Sequence, residues 1–221
     1  MKPVSSPMFY TSEEGLVLAS ASPRRRELLE NLGIQLQIIP SCIDESPLEN
    51  EDPAAHVVRL SREKAQEVAN RAGVKGRWFL GSDTVVVQDG HLLGKPCDAR
   101  QAGDMLRMLS GREHQVYSGY AIHDRKKGQC TTGSVCTQVR LRQLTDAEIA
   151  GYIARGEPLD KAGAYAIQGL ASYMVSDISG SYTNVVGLPL AEVVDVLLYL
   201  GAIALPPQHS ARENQVSDLS P

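Results

Sequence analysis

The sequence predicts an α/β fold in which helices flank a mixed β-sheet. Three observations support this fold class. Apolar strand patterns are interleaved along the chain with helix patterns that begin at a capping residue. Several strand patterns follow one another across short turns, which favours antiparallel hairpins within the same sheet. No internal repeat or low-complexity linker divides the 221 residues, so one continuous domain is expected.

Helix starts are the clearest local signals in the first half of the chain. Ser22-Pro23 and Asp52-Pro53 each place a capping side chain before a proline, which suits the first turn of a helix. Gly33 is expected to end the first of these helices. The predicted elements of this half are a strand at 16–20, a helix at 23–31, a strand at 34–39, a helix at 53–72 and a strand at 78–88.

Turn and capping signals also mark the second half. Asp89-Gly90 is a two-residue hairpin turn between strand patterns. Asp98 is an N-cap, and residues 145–148 form a capping box for a later helix. The predicted elements are a strand at 91–93, a helix at 98–109, long strands at 114–123 and 132–141, a helix at 145–155, a strand with glycine breaks at 165–174 and a helix at 190–200.

The two ends of the chain lack an apolar period. Residues 1–14 are predicted to be a flexible leader, and the polar segment 206–221 a disordered tail. The single domain is therefore expected to span residues 15–205.

Composition excludes several classes of partner. The net charge of −4 gives no positive field for duplex DNA or an anionic membrane, and 5% aromatic residues are few for stacking on single strands. No apolar run reaches the ~18 residues that span a bilayer, and the N-terminus lacks a signal-peptide core. The four cysteines show neither C-x-x-C nor zinc spacing, which favours free thiols in a reducing compartment. We therefore expect a cytoplasmic protein with neither a nucleic acid polymer nor a membrane as partner.

Three arginines follow the helix cap at Ser22. Because the helix dipole disfavours cations in a first turn, arginines 24–26 indicate that a bound anion supplies negative charge there. The alternative is a solvated basic turn paired with Glu27 and Glu30.

Three further charged residues stand in positions that need an explanation. Asp83 lies within an apolar, β-branched strand, so it meets either a cation or local N–H groups. Lys64 lies on the apolar stripe of its helix, and either snorkels outward or points into a cleft. If its ammonium is uncompensated, Lys64→Met should hold or raise the melting temperature. Lys95 follows a strand in a Gly/Pro loop and either binds a ligand or is solvated.

A glycine-rich run precedes Gln168. Glycines at 156, 163 and 169 permit close approach of the backbone to a ligand, and Gln168 offers both a donor and an acceptor. The alternative is a long turn leading into a strand. Neither a P-loop nor a G-x-G-x-x-G fingerprint is present.

Taken in order, these motifs resemble the Maf family of nucleoside triphosphate pyrophosphatases over residues 16–200. The motifs that carry the resemblance are Ala19-Ser20-Ala21-Ser22-Pro23-Arg24-Arg25, Gly81-Ser82-Asp83-Thr84, Lys95-Pro96, Gly156-Glu157-Pro158-Leu159-Asp160-Lys161-Ala162-Gly163-Ala164-Tyr165, Ile167-Gln168-Gly169 and Asn184-Val185-Val186-Gly187-Leu188-Pro189.

The resemblance implies a fold and a reaction. The fold would be an elongated mixed sheet with two lobes around a cleft, related to the inosine-triphosphatase fold, in a homodimer. The reaction would be hydrolysis of a nucleoside triphosphate, with dTTP and UTP preferred, to the monophosphate and pyrophosphate. It would depend on a divalent metal cation, Mg²⁺ or Mn²⁺. Two alternatives remain open: a non-catalytic nucleotide-binding regulator of cell division, and a pyrophosphatase for modified purine nucleotides or 7-methyl-GTP.

The resemblance also implies roles for nine residues. Asp83 would be the catalytic carboxylate and, with Glu45, a metal ligand. The expected phosphate-binding residues are Ser22, Arg25, Lys64 and Lys95. The expected specificity residues are Arg24, Thr84 and Gln168.

Overall fold

The computed structural model describes residues 7–206. The first six residues of the predicted leader and residues 207–221 of the predicted tail lie outside the described residues. The strands are β1 (Tyr10–Thr11), β2 (Leu16–Leu18), β3 (Gln37–Ile38), β4 (Trp78–Gln88), β5 (His91–Leu93), β6 (Glu113–Asp124), β7 (Gln129–Leu141), β8 (Val175–Ser179) and β9 (Ile203–Ala204). The helices are α1 (Pro23–Glu30), α2 (Pro53–Ala69), α3 (Ala99–Leu109), α4 (Asp146–Ile153), α5 (Tyr182–Val186) and α6 (Leu190–Tyr199).

The main sheet is mixed, as the sequence predicts. Its strands lie in the order β3-β2-β4-β6-β7-β8, with β5 paired to β4. Strand β2 runs parallel to both β3 and β4, whereas the pairs β4–β5, β4–β6, β6–β7 and β7–β8 are antiparallel. None of the helices within residues 7–206 is both long and apolar enough to cross a membrane.

One edge of β4 is left open in the middle. Strand β6 pairs with one edge along almost the whole length of β4. The opposite edge pairs with β2 at 78–80 and with β5 at 86–88. Residues 81–85 therefore have no strand neighbour on that edge within the described part of the chain. This interruption, which we call the β4 gap, contains Asp83 at its centre.

Two apolar cores pack on the same face of the sheet, at opposite ends of β4. One contains Trp78 and Leu80, against α1 and α6. The other contains Val86, against α3 and α4. Because these three side chains occupy alternate positions of one strand, they point to the same face. The β4 gap lies between the two cores, which gives the molecule two lobes.

Helix α2 covers the other face of the sheet at unusually short range. A Cβ at Gly81 would lie 2.1 Å from the carbonyl oxygen of Ser61, and one at Gly119 would lie 2.4 Å from that of Val57. Only glycine permits this approach of helix to strands. The two glycines therefore set the height of α2 above β4 and β6.

The prediction of a strand at 165–174 is wrong. Most of this range instead forms the 3₁₀ helix Gly169–Met174, and the strand β8 begins only at Val175. Gly169 adopts a φ of 78°, which lies outside the extended region of a regular strand. The predicted strand at 34–39 shortens to β3 for a different reason: only two of its residues pair with β2.

Part of the predicted leader belongs to the fold. Strand β1 pairs with β9, near the other end of the domain, and Phe9 is buried in the core beside α1 and α6. The sequence contains no local signal for this pair, because each strand is only two residues long and forms by contact with the other.

Candidate active site

A cleft of about 480 Å³ opens at the β4 gap. The start of α1, the cleft-facing side of α2, the loop after β5 and the segment around Gln168 form its walls. All nine side chains predicted as site residues line it: Ser22, Arg24, Arg25, Glu45, Lys64, Asp83, Thr84, Lys95 and Gln168.

Lys64 points into the cleft and does not snorkel outward. Its Nζ donates to Oδ1 of Asp83 at 2.6 Å and lies 2.8 Å from Oε1 of Glu45. The lysine is 5% exposed and the aspartate 8% exposed, so both charges are held away from bulk water. Asp83 is thus satisfied by a cation rather than by local N–H groups.

The electrostatics of this centre favour an ionised Glu45. Partial burial acts to raise the pKa of Glu45, but the hydrogen bond and charge of Lys64, with the charges of Lys95 and Arg25, outweigh it. The pKa of Glu45 therefore lies below its usual value, and the carboxylate is charged at neutral pH.

Arg25 connects three parts of the site. Its guanidinium donates to the carbonyl oxygens of Ser82 and Gly187, each at 2.7 Å, to Ser20 Oγ at 3.2 Å and to Thr84 Oγ1 at 3.0 Å. Four of its five N–H groups are thereby used, so at most one remains for a ligand. Burial lowers the pKa of Arg25, but a guanidinium stays protonated at neutral pH. These hydrogen bonds hold the positive charge of Arg25 in a fixed position and connect α1 to β4.

Thr84 belongs to a hydroxyl network on the side of β4 away from α2. Its Oγ1 lies 2.8 Å from Ser118 Oγ and 3.2 Å from the carbonyl oxygen of Gly187. Ser118 in turn donates to the carbonyl oxygen of Asn184, which is fully buried. This support from Ser118 and Asn184 was not predicted as part of the site.

Ser22 performs the capping role that its position predicts. Its Oγ accepts from the backbone N–H of Arg25 at 3.5 Å, and it lines the cleft at the start of α1.

The remaining predicted residues differ in whether their side chains already contact other side chains of the protein. Lys95 and Gln168 have no side-chain hydrogen bond within residues 7–206, so both can bind a ligand. Arg24 lies 3.8 Å from Asp160, which also accepts from Lys161 Nζ at 2.5 Å.

Three further residues of the cleft were not predicted from the sequence: Asp160, Lys161 and His56. The signal for His56 was present, since His56, Leu60 and Lys64 recur at intervals of four and share one face of α2. Asp160 and Lys161 lie in the glycine-rich run, where no helix or strand period indicates which side chains face inward.

The two carboxylates fit a divalent cation as a partial ligand set. One oxygen of each contacts Lys64, and the other has no protein partner among the described residues. Mg²⁺ commonly takes one or two carboxylates and completes its shell with substrate phosphates and water. No cluster of three or more acidic, cysteine or histidine ligands occurs within residues 7–206, so substrate oxygens would have to supply the rest.

The fold and the cleft define an α/β protein whose cationic, helix-capped pocket is suited to an anionic ligand. Comparison with known sequences gives the family. Residues 15–200 match the family model described as Maf-like protein, and the chain belongs to the Maf family.

Several relatives are similar over nearly the whole domain, and three of them are each named dTTP/UTP pyrophosphatase. One from Syntrophotalea carbinolica is 59% identical over 193 residues, covering 87% of this chain and 88% of the relative. One from Geobacter sp. strain M21 is 54% identical, covering 85% and 96%. One from Syntrophus aciditrophicus is 47% identical, covering 91% and 98%.

Proposed function

We propose that this protein hydrolyses nucleoside triphosphates, dTTP and UTP preferentially, to the monophosphate and pyrophosphate. The observation that carries the proposal is the centre formed by Asp83, Lys64 and Glu45 inside a cleft with further cations. The names of the relatives, dTTP/UTP pyrophosphatase, support the substrate class.

Asp83 is the proposed general base. Lys64 holds its Oδ1, which leaves Oδ2 to accept a proton from the attacking water. The water oxygen bonds to the α-phosphorus, the bond from that phosphorus to the bridging oxygen breaks, and pyrophosphate leaves with the electron pair. No covalent intermediate is needed.

The cations of the cleft neutralise the triphosphate. Lys64, Lys95 and the fixed charge of Arg25 line the pocket together with the N-terminus of α1 at Ser22. Such preorganised charges stabilise the negative charge that builds on a leaving phosphate. We place the phosphates beside these groups.

Glu45 and Asp83 are the proposed ligands of a divalent cation, Mg²⁺ or Mn²⁺. When bound, the cation would add positive charge next to the phosphates and help to orient them.

Gln168, Arg24 and Thr84 are the proposed specificity residues. Uracil and thymine present adjacent O4 acceptor and N3–H donor groups, and the free amide of Gln168 can pair with both. A glutamate there would be acceptor-only and would repel O4. A site that hydrogen-bonds its substrate in this way rejects a mismatched edge, because its own polar groups would then lose their partners.

Pyrophosphate release across a panel of nucleotides tests the reaction and the base preference. With Mg²⁺ or Mn²⁺, we expect dTTP and UTP to be hydrolysed well ahead of dCTP, CTP, ATP and 7-methyl-GTP, and Gln168→Glu to reduce that preference. A purine or 7-methyl-GTP as best substrate would contradict the specificity. Binding without turnover of any nucleotide would instead favour the regulator.

The Asp83→Asn variant tests the catalytic carboxylate. Loss of a general base typically costs ~10²–10⁴-fold, so kcat should fall at least that far while the melting temperature shows a folded protein. Asp89→Asn is the matched control, because Asp89 lies in the β4–β5 turn and pairs with Arg112. Near wild-type kcat in a folded Asp83→Asn variant would refute the role.

A cytoplasmic homodimer completes the proposal. All four cysteines are free, which suits a reducing compartment. Light scattering on the purified chain measures whether its mass is that of one chain or two.

A further inference from the structure

A second charged cluster lies beside the cleft, formed by Glu51, His56 and Arg59. Arg59 donates two hydrogen bonds to the carboxylate of Glu51, from Nε to Oε1 at 2.6 Å and from Nη2 to Oε2 at 2.7 Å. Oε2 of Glu51 also lies 2.8 Å from Nδ1 of His56. We call this arrangement the His56 clamp, since it fixes the ring through one nitrogen only.

The protonation state of the clamp follows from Glu51. The hydrogen bonds from Arg59 hold the pKa of Glu51 at about 2, so it is a carboxylate at neutral pH and can only accept. His56 Nδ1 must therefore carry a proton and donate. The second ring nitrogen, Nε2, is the atom left for another partner.

The second ring nitrogen of His56, Nε2, is open to a ligand in a residue that lines the cleft. It has no hydrogen-bond partner among the described residues and is not one of the fully enclosed polar atoms. The residue is only 5% exposed, yet it lines the cleft. A histidine that served packing alone would have no reason to be held by a carboxylate while its second nitrogen stays unpaired.

The position of His56 along α2 indicates which part of a nucleotide it meets. His56 lies eight residues before Lys64 on the same face, about 12 Å along the helix axis at the usual rise per residue. When the α-phosphorus lies beside Asp83, the β- and γ-phosphates of the bound nucleotide extend away from the reaction centre. The α2 face between Lys64 and His56 is apolar at Leu60, so the next polar atom that the helix offers them is Nε2.

We propose that His56 is a binding residue for the outer phosphates, and thus for the pyrophosphate that leaves. One proton, carried by the ring or by the phosphate, lies between Nε2 and a terminal phosphate oxygen. Glu51 and Arg59 position the ring for this contact. The inference rests on the proposed function for the location of the triphosphate.

Two substitutions separate this role from a structural one. His56→Asn keeps an amide that can donate to Glu51 and removes the second ring nitrogen. His56→Gln does the reverse, because its amide reaches approximately the position of Nε2. The measurements are the dissociation constants of pyrophosphate and of dTMP by calorimetry in the presence of Mg²⁺, with melting temperatures to verify folding.

We expect His56→Asn to weaken pyrophosphate binding tenfold or more, roughly the value of a hydrogen bond to a charged group. The dTMP constant should change less than about twofold, within the spread of a site that makes no contact. His56→Gln should recover most of the pyrophosphate affinity. Unchanged pyrophosphate binding in a folded His56→Asn variant, or equal weakening of pyrophosphate and dTMP, would overturn the proposal.

These binding constants do not depend on turnover. If the wild type binds pyrophosphate through His56 but hydrolyses no nucleotide, the proposed function fails and the binding site stands. If it hydrolyses dTTP and UTP while His56→Asn leaves pyrophosphate binding unchanged, the function stands and this inference fails.

Discussion

Lys64 is the single residue on which most of the cleft's electrostatics depends. Its ammonium lies between Asp83 and Glu45, and all three charges are at least partly withdrawn from water. A buried ion pair offers little net stability over apolar residues, but removal of one member leaves the others uncompensated. The lysine therefore stabilises the fold only because two carboxylates are already there.

Lys64→Met should consequently destabilise the protein, contrary to the expectation from sequence alone. We expect a loss of about 3 kcal/mol in the free energy of unfolding at neutral pH. Urea denaturation at pH 7 measures the loss.

Lys95→Met is the matched control for this prediction. Lys95 is exposed and has no hydrogen-bond partner among the described residues, so the same change there should stay within about 0.5 kcal/mol of wild type. Equal losses for both variants would contradict the role given to the carboxylates.

Buried His114, which lies outside the cleft, should make the free energy of unfolding depend on pH. Burial lowers its pKa to about 4, and its Nε2 lies 2.7 Å from the hydroxyl of Tyr165. Between pH 6.5 and 4 the unfolded chain binds a proton that the folded chain does not, so stability falls as the pH drops. The total effect is about 3 kcal/mol for a shift of this size.

His114→Gln should remove this component, since glutamine does not titrate. The measurement is the slope of unfolding free energy against pH between 6.5 and 4.5 for the wild type and the variant. His91→Gln, at an exposed position of β5, serves as control and should keep the wild-type slope. An unchanged slope in His114→Gln would show that other groups cause it.

At the scale of elements, α2 forms one wall of the cleft, and its position depends on two glycines. The helix presents Lys64 and His56 to the cleft, and its backbone touches the strands at Gly81 and Gly119. Any side chain at these two positions would push α2 away from the sheet. The packing of α2 on β4 and β6 therefore sets the distance between Lys64 and Asp83.

Gly81→Ala should test that dependence. The added Cβ meets the carbonyl oxygen of Ser61, a backbone atom that yields only if α2 moves. We expect a loss of about 3 kcal/mol, at the upper end of overpacking costs, together with reduced kcat. The measurements are urea denaturation and pyrophosphate release.

Gly151→Ala is the control, because Gly151 lies in α4 and a Cβ there meets nothing within 4 Å. Alanine should raise stability by ~0.5–1 kcal/mol at that helical position without changing kcat. A Gly81→Ala variant as stable and active as Gly151→Ala would mean that α2 is not held by this contact.

The elements that sequence predicted are those with strong local signals. The N-caps of α1, α2, α3 and α4 are confirmed at the expected residues, as is the turn between β4 and β5. Strands β1, β8 and β9 and helix α5 were not predicted. They are two to five residues long and exist through pairing or packing with distant segments, which leaves no period in the sequence.

The candidate site likewise contains a part that sequence motifs predicted and a part that they did not. The structure places all nine predicted side chains around one cleft. The motifs did not indicate that contacts such as that with Gly187, 162 residues away, occupy most N–H groups of Arg25, nor that Glu51 and Arg59 hold His56. These facts depend on side-chain partners that only the folded chain brings together.

At the scale of the whole molecule, the cleft joins two separately packed lobes. One apolar core includes Trp78 and Leu80, the other includes Val86, and the β4 gap lies between them. A ligand that contacts both α1 and the loop after β5 would link the lobes. Binding should therefore stabilise the native state as a whole.

A dUTP analogue with a non-hydrolysable α,β linkage tests this expectation in the presence of Mg²⁺. At one hundred times its dissociation constant it should add about 2.7 kcal/mol to the free energy of unfolding. Calorimetric melting measures the shift. Uridine at the same concentration, which lacks the phosphates, is the control. Equal shifts from uridine and the analogue would contradict a cleft that binds mainly through phosphate.

The β4 gap also restricts which insertions and deletions the β4–β5 hairpin of this protein can accommodate. Strand β5 stops pairing at Leu93, and the chain leaves the sheet at Gly94. A hairpin whose second arm ran a few residues further would pair with 81–85 and fill the cleft with backbone. Length changes at the Asp89–Gly90 turn should therefore preserve the cleft only if both arms keep their register, because the short second arm is what leaves residues 81–85 unpaired on that edge.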